Sequence, residues 1–196
     1  MGRESRGWIL VLLLIAASLI AVGCGDDDED AGSAEPSAEA PEAPAEPAAP
    51  TQKEYTAEAD QICKQASPRI QKLVEAIDSD SSEFESGTSL EAQSASAKAV
   101  SDLFEELADA REATTKDLEQ LEAPDEGPPT EYLKSRKAAS KAMRDTAKAW
   151  GALADEVTQE VADAAGASQL KHKQLLDDSE KIAKRYGFKV CSQPTK

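Results

Sequence analysis

"KAMRDTAKAWGALADEVTQEVADAAG", Lys141 to Gly166, sets Met143, Trp150, Val157 and Ala164 seven residues apart, with Ala147, Ala154 and Val161 beside them. Apolar side chains spaced by threes and fours share one face of a helix, and a seven-residue repeat returns to that face after two turns. This stretch therefore reads as a helix with one buried stripe, which needs other helices to cover it. The helix is expected from near Pro129 to Ala165, with Gly166 ending it.

The same period recurs on both sides. Upstream, Thr51 and Glu54 fit a capping box, and Tyr55, Ala59, Ile62, Cys63, Ala66, Ile70, Leu73, Val74 and Ile77 follow at helical spacing. Pro68 interrupts that run, so a kink is expected there, or a restart with Ser67 as cap. "DSDSSEFESGTS", 78–89, reads as a polar loop. A second helix is expected from about Ser89 to Glu122, burying Ala97, Val100, Phe104, Leu107, Leu118 and Leu121, with "APDEGPP" ending it. Downstream of Gly166, a shorter helix is expected from about Ser168 to Tyr186, carrying Leu170, Leu175, Ile182 and Ala183, with Gly187 as its C-terminal cap. No stretch alternates with the two-residue period of a strand. The expected fold is all-α, an antiparallel bundle of about four helices over 53–196, or the first helix laid across the other three.

The core of that bundle is thin. Leu, Ile, Val and Phe supply 23 of the 144 residues after position 52, about 16%, below the ~20% associated with disorder. Alanine compensates in part, since alanine faces let helices approach closely and favour helix intrinsically. Modest stability is expected without a covalent staple.

The chain has 196 residues and a formal net charge of −16. Such a balance excludes a nucleic-acid binder, because phosphate contacts need clustered Lys and Arg. Residues 25–52 carry nine acids and no base, recurrent prolines and no large hydrophobe. That composition cannot bury enough surface to offset the entropy of ordering, so 24–52 is expected to be a disordered tether. Asparagine is absent from the chain, which removes N-linked glycosylation.

Before the tether, Arg3 and Arg6 precede "WILVLLLIAASLIAV", Trp8 to Val22. At about 1.5 Å per residue this run covers ~23 Å of a ~30 Å hydrocarbon core, short for a permanent span and suited to a secretory signal over 1–23. "AVGC", Ala21 to Cys24, resembles the lipobox of bacterial lipoproteins and departs from the usual pattern at Ala21, where that family has leucine. The resemblance implies that Cys24 receives a diacylglycerol and acyl chains such as palmitate, and becomes the first residue of the mature protein. The chain would then be held to the extracytoplasmic face of the cell membrane by its lipid anchor. The alternative is an uncleaved signal anchor with an incidental cysteine.

Cys63 and Cys191 remain. Export places both where disulfides persist, and lipidation of Cys24 leaves an even pair; two free thiols are the alternative. "ADQIC", Ala59 to Cys63, and "YGFKVC", Tyr186 to Cys191, resemble the two ends of a group of small actinobacterial lipoproteins without assigned activity. That resemblance implies a Cys63–Cys191 bridge and a helical fold, but no reaction.

Candidate chemistry is sparse. The single histidine, His172, lies between Lys171 and Lys173 and reads as a surface residue. No Gly-x-Ser-x-Gly elbow accompanies it. "DSDSSE", Asp78 to Glu83, begins like a calcium loop but has Glu83 where an EF-hand needs glycine and Ser89 where it needs glutamate. Two thiols and a distant histidine lack metal-ligand spacing. No catalytic residue, metal or cofactor is expected, and the chain is not expected to be an enzyme. It reads as a lipid-anchored binding or scaffolding module with an envelope protein partner. The alternative is a small-molecule or ion carrier with a pocket between helices near Trp150.

Overall fold

A computed structural model of the chain describes residues 48–127 and 129–193. The leader, Cys24 and the tether up to residue 47 lie outside the described residues. Four helices follow in order: α1 (Gln52–Ser86), α2 (Leu90–Glu119), α3 (Thr130–Asp155) and α4 (Gln159–Tyr186). No strand occurs among the described residues.

Helix α1 starts as expected. The Glu54 N–H donates to Thr51 Oγ1 at 3.3 Å, and the Thr51 N–H donates to Glu54 Oε2 at 2.9 Å. That backbone hydrogen bond holds the Glu54 carboxyl below the usual carboxylate range. The helix does not restart at Ser67 but runs through Pro68, because Cys63 before the proline and Ile70, Leu73 and Ile77 after it are all buried along one face. Tertiary packing on both sides of the missing N–H outweighs the loss of one helical hydrogen bond.

The polar loop expected over 78–89 is two more turns of α1. Ser82 Oγ and Ser86 Oγ donate back to the carbonyls of Asp78 and Ser82 at 2.8 and 2.9 Å, as serines do when a helix accommodates them. Phe84 anchors these turns by meeting Trp150 edge-on, with ring centroids 5.4 Å apart. Only Gly87, Thr88 and Ser89 connect to α2, and Ser89 Oγ accepts from the Ala92 N–H at 3.1 Å.

The expected helix from Pro129 to Ala165 is two helices. It ends at Asp155, where the Glu156 N–H donates to Ala152 O, and restarts after Thr158, whose Oγ1 accepts from the Val161 N–H at 3.4 Å. Val157 therefore lies in the connection, Ala164 is exposed and Ala165 takes the buried place. Gly166 sits inside α4 rather than ending it. Gly187 does cap α4, at φ 104°, donating its N–H to Ala183 O and Lys184 O. That left-handed conformation is open to glycine at no steric cost.

Adjacent helices run antiparallel. Ser94 Oγ donates to Ala154 O at 2.6 Å, and Ser101 Oγ, two turns later on α2, donates to Ala147 O at 2.8 Å, two turns earlier on α3. From α3 to α4, Thr146 Oγ1 pairs with Ser168 Oγ at 3.1 Å and Ser135 Oγ donates to Ser179 Oγ at 3.0 Å. Small residues allow this close approach: a Cβ added to Gly151 would lie 3.3 Å from Ser101 Oγ. One core cluster joins Ile70, Leu73 and Ile77 of α1 to Val100, Phe104 and Leu107 of α2 and to Met143, Trp150 and Leu153 of α3. A second joins Tyr55, Ala59 and Cys63 to Leu118, Tyr132, Ala183 and Phe188.

The series does not close on itself through its helices. Among the described residues, no Cα of α1 lies within 8 Å of a Cα of α4. At one end side chains reach across, Tyr55 to Tyr186 and Gln52 to the Tyr186 carbonyl, and the segment after α4 bridges the rest of the seam between the first and last helices.

The position of Gly166 yields a direct test. Its φ is not in the left-handed region, and nothing lies within 4 Å of an added Cβ. Gly166→Ala is expected to stabilise the protein by about 0.5–1 kcal/mol in urea unfolding. A glycine that ended the helix would give a loss instead.

Candidate functional site

The chain leaves α4 at Gly187 and folds back across the α1 side of the bundle. Phe188 is 3% exposed, with its ring 4.8 Å from Tyr132, 5.1 Å from Tyr186 and 6.4 Å from Tyr55, centroid to centroid. Burial pushes the Tyr55 hydroxyl up to about 12, with Tyr186 adding to the shift. Beyond Phe188, three successive backbone N–H groups meet one carboxylate. Lys189 donates to Asp60 Oδ2 at 2.9 Å, and Val190 and Cys191 donate to Asp60 Oδ1 at 2.9 and 3.0 Å. Asp60 itself is buried, so these bonds stand in for the water that its charge has lost.

Cys63, one turn along α1 from Asp60, is bonded to Cys191, with the two Cα atoms 5.3 Å apart. The two free thiols left open by the sequence are thus a bridge across 128 residues. Gln52 Nε2 adds a donation to Tyr186 O at 2.8 Å. This clasp was half visible in the sequence: both cysteines stood out, whereas Asp60 did not. One acid among 38 carries no signal until the amides it faces are known.

Beneath the clasp lies the seam. Two small cavities, about 30 and 90 Å³, share Arg111, Arg136, Cys191 and Gln193 in their walls. Ser140 and Ser179 line the smaller, and Cys63, Ser67 and Ile70 the larger. Arg136 donates from Nε to Thr115 Oγ1 at 2.9 Å, from Nη1 to Tyr132 Oη at 2.9 Å and from Nη2 to Arg111 O at 3.5 Å. Burial lowers the Arg111 guanidinium to about 10, and Arg136 opposes its charge further. On the outer surface the pattern differs: Arg144 forks onto the carboxylates of Asp109 and Glu112.

His172 is not the surface residue its lysine neighbours suggest. It is buried at 7% exposure, with its ring edge-on to Phe104 at 5.7 Å. Lys171 and Lys173 point elsewhere because consecutive helical residues are turned by about 100°. Ala165, His172 and Ser179 form the buried heptad of α4, a stripe whose polar members hid it from an apolar reading. Neither ring nitrogen has a hydrogen-bond partner among the described residues. Burial, reinforced by Arg111, lowers its pKa to about 4.

Trp150 belongs to the core: it is 6% exposed and packed against Phe84. The two interior cavities described above lie at Arg111 and Arg136 instead. Among the described residues no cluster of three or more His, Cys, Asp or Glu is placed to hold a metal, and no helix is long and apolar enough to cross a membrane.

Two predictions follow from the clasp and the buried imidazole. Reducing the disulfide is expected to cost about 5 kcal/mol by the chain-entropy relation for so long a loop. In Asp60→Ala the further cost of reduction should be smaller, since bridge and carboxylate fix the same segment. Urea unfolding of both proteins, with and without reductant, reads the coupling. For His172, the unfolded imidazole takes up a proton near pH 6.5 and the folded one only near 4. Stability is therefore lost as pH falls through that window, by up to about 3 kcal/mol from this residue. His172→Leu is expected to flatten the loss relative to the parent when urea midpoints are compared from pH 7 to 4.

No family model, no curated protein and no solved structure matches this chain.

Proposed function

We propose that the chain is a lipid-anchored, extracytoplasmic module of the cell envelope, acting by binding or scaffolding rather than by catalysis. Cys24 is its membrane attachment, 24–52 its tether and 53–196 its folded body. The Cys63–Cys191 bridge carries this reading. Such bonds persist in oxidising compartments and are rare where thiols are kept reduced. A bond between residues 128 apart in a chain with so few large hydrophobes suits a protein that folds after export. The leader and the lipobox-like "AVGC" give the route and the anchor.

Binding rather than catalysis is favoured by where the reactive groups lie. The one imidazole is enclosed against Phe104, and both domain cysteines are consumed in the bridge. The faces left to solvent carry short-range ion pairs such as Lys98–Asp102 and Lys181–Asp178. Pairs of that kind contribute little to stability and leave a polar surface for a partner.

Intact mass of the protein purified from membranes tests the reading. The expected species starts at Cys24, carries the added mass of a diacylglycerol and an acyl chain, and gains two hydrogens on reduction. Cys24→Ala should shift the protein out of the membrane fraction. A full-length, unlipidated species with free thiols would overturn both anchor and export.

A further inference from the structure

We propose that Cys63 and Cys191 form a reversible thiol–disulfide exchange site, entered by small thiols at Cys191, whose sulfurs stay in register when the bond is open because Asp60 keeps the C-terminal strap docked. The inference rests on the clasp and is independent of the lipid anchor. The strap, residues 187–193, is held by several contacts that do not pass through sulfur. Asp60 accepts the amides of Lys189, Val190 and Cys191 at 2.9, 2.9 and 3.0 Å. Phe188 is buried among Tyr55, Tyr132 and Tyr186. The Ser192 hydroxyl, also buried, donates to Phe188 O at 2.8 Å.

None of these contacts needs the bridge. Hydrogen bonds to an ionised carboxylate are about twice as strong as neutral ones, and they act whether or not a covalent bond stands beside them. The opened pair also has a place to sit. Cys191 Sγ lies 3.3 Å from the Ala59 carbonyl oxygen, so a thiol formed there has an acceptor. With the strap docked, the two Cα atoms remain near their 5.3 Å separation and the sulfurs remain neighbours.

The two sulfurs are unequal toward an incoming thiol. Cys63 is buried on the inner face of α1, whereas Cys191 is half-buried on the strap itself. The cavity of about 90 Å³ is lined by both cysteines and reaches the exposed Ser67 and Gln193. A single water's share of liquid is about 30 Å³, so this space admits the sulfur end of a small thiol. A thiolate attacks Cys191 Sγ, the bridge breaks, and its electron pair leaves with Cys63 Sγ, which takes a proton from water. A second thiolate attacks the external sulfur of the mixed disulfide, and Cys191 leaves and is protonated in the same way. The bridge thus gains two electrons and two protons while two small thiols become one disulfide, and that disulfide drives the reverse.

Single-cysteine variants test the proposal without a bridge. Cys191 in Cys63→Ala is expected to react with Ellman's reagent about ten-fold faster than Cys63 in Cys191→Ala, which the docked strap covers. Adding Asp60→Ala to Cys191→Ala should uncover Cys63 and bring its rate to that of the urea-unfolded chain. Asp60→Asn, which keeps an acceptor oxygen, should do so less. The parent protein gives a second reading without substitution. Reduced by dithiothreitol in the absence of denaturant, it should keep the Lys189, Val190 and Cys191 amides slow to exchange with deuterium. A Cys63 as reactive as Cys191, or strap amides that exchange at the unfolded rate once the bond is open, overturns the proposal.

Discussion

The carboxylate of Asp60 is the interaction on which the closure of this fold depends. Each helix of the series packs on its neighbour in sequence, so the chain folds as successive hairpins whose outer helices, α1 and α4, meet only through side chains at one end. Local connections of three to ten residues make the hairpins; nothing in them brings the last helix back to the first. Asp60 does so by accepting the amides of Lys189, Val190 and Cys191, which fixes the path of the returning segment. On that path Cys191 lies within bonding distance of Cys63.

The two bonds act on different states. A carboxylate that satisfies three amides stabilises the folded chain directly, and its loss would leave buried donors without partners. The disulfide restricts the unfolded chain and so raises the free energy of the competitor. A core in which nine of the 23 buried hydrophobic residues are alanine supplies less apolar burial than one of leucine and isoleucine would. The protein compensates at one end of the bundle, where Tyr55, Tyr132, Tyr186 and Phe188 concentrate four aromatic contacts around the clasp. The aromatic cluster, the carboxylate and the bridge are one mechanical unit.

How much of this was legible follows from the kind of signal each feature leaves. Periodicity reveals helices wherever their buried residues are apolar, so α2, the first half of α3 and the start of α1 stand out, and Gly187 and Thr51 mark ends by local chemistry. It fails where buried residues are polar or where a turn is shorter than the repeat. Residues 78–86 hold one large apolar side chain, Phe84, and so look like loop. The three-residue break at Glu156 to Thr158 reverses the chain while leaving the seven-residue spacing intact as far as Ala164. His172 and Ser179 occupy core positions of α4 but look like surface. For the clasp, the cysteines were visible and their acid was not, because a hydrogen bond between a side chain and distant amides leaves no pattern in sequence.

The polar residues that mislead an apolar reading are also those that give the interior its character. A bundle closed by leucines would have a dry, uniform seam between α1 and α4. This one is closed by a strap, and a strap covers less than a helix does, so space remains beneath it and polar groups remain in that space. Arg111 and Arg136 line that space together with Glu180, so charge of both signs faces it. His172, packed against Phe104 away from the strap, answers its burial by staying neutral. The interior thus accommodates its polar residues by opposite charge in one place and by discharge in the other, and the clasp holds the weakly packed fold around both.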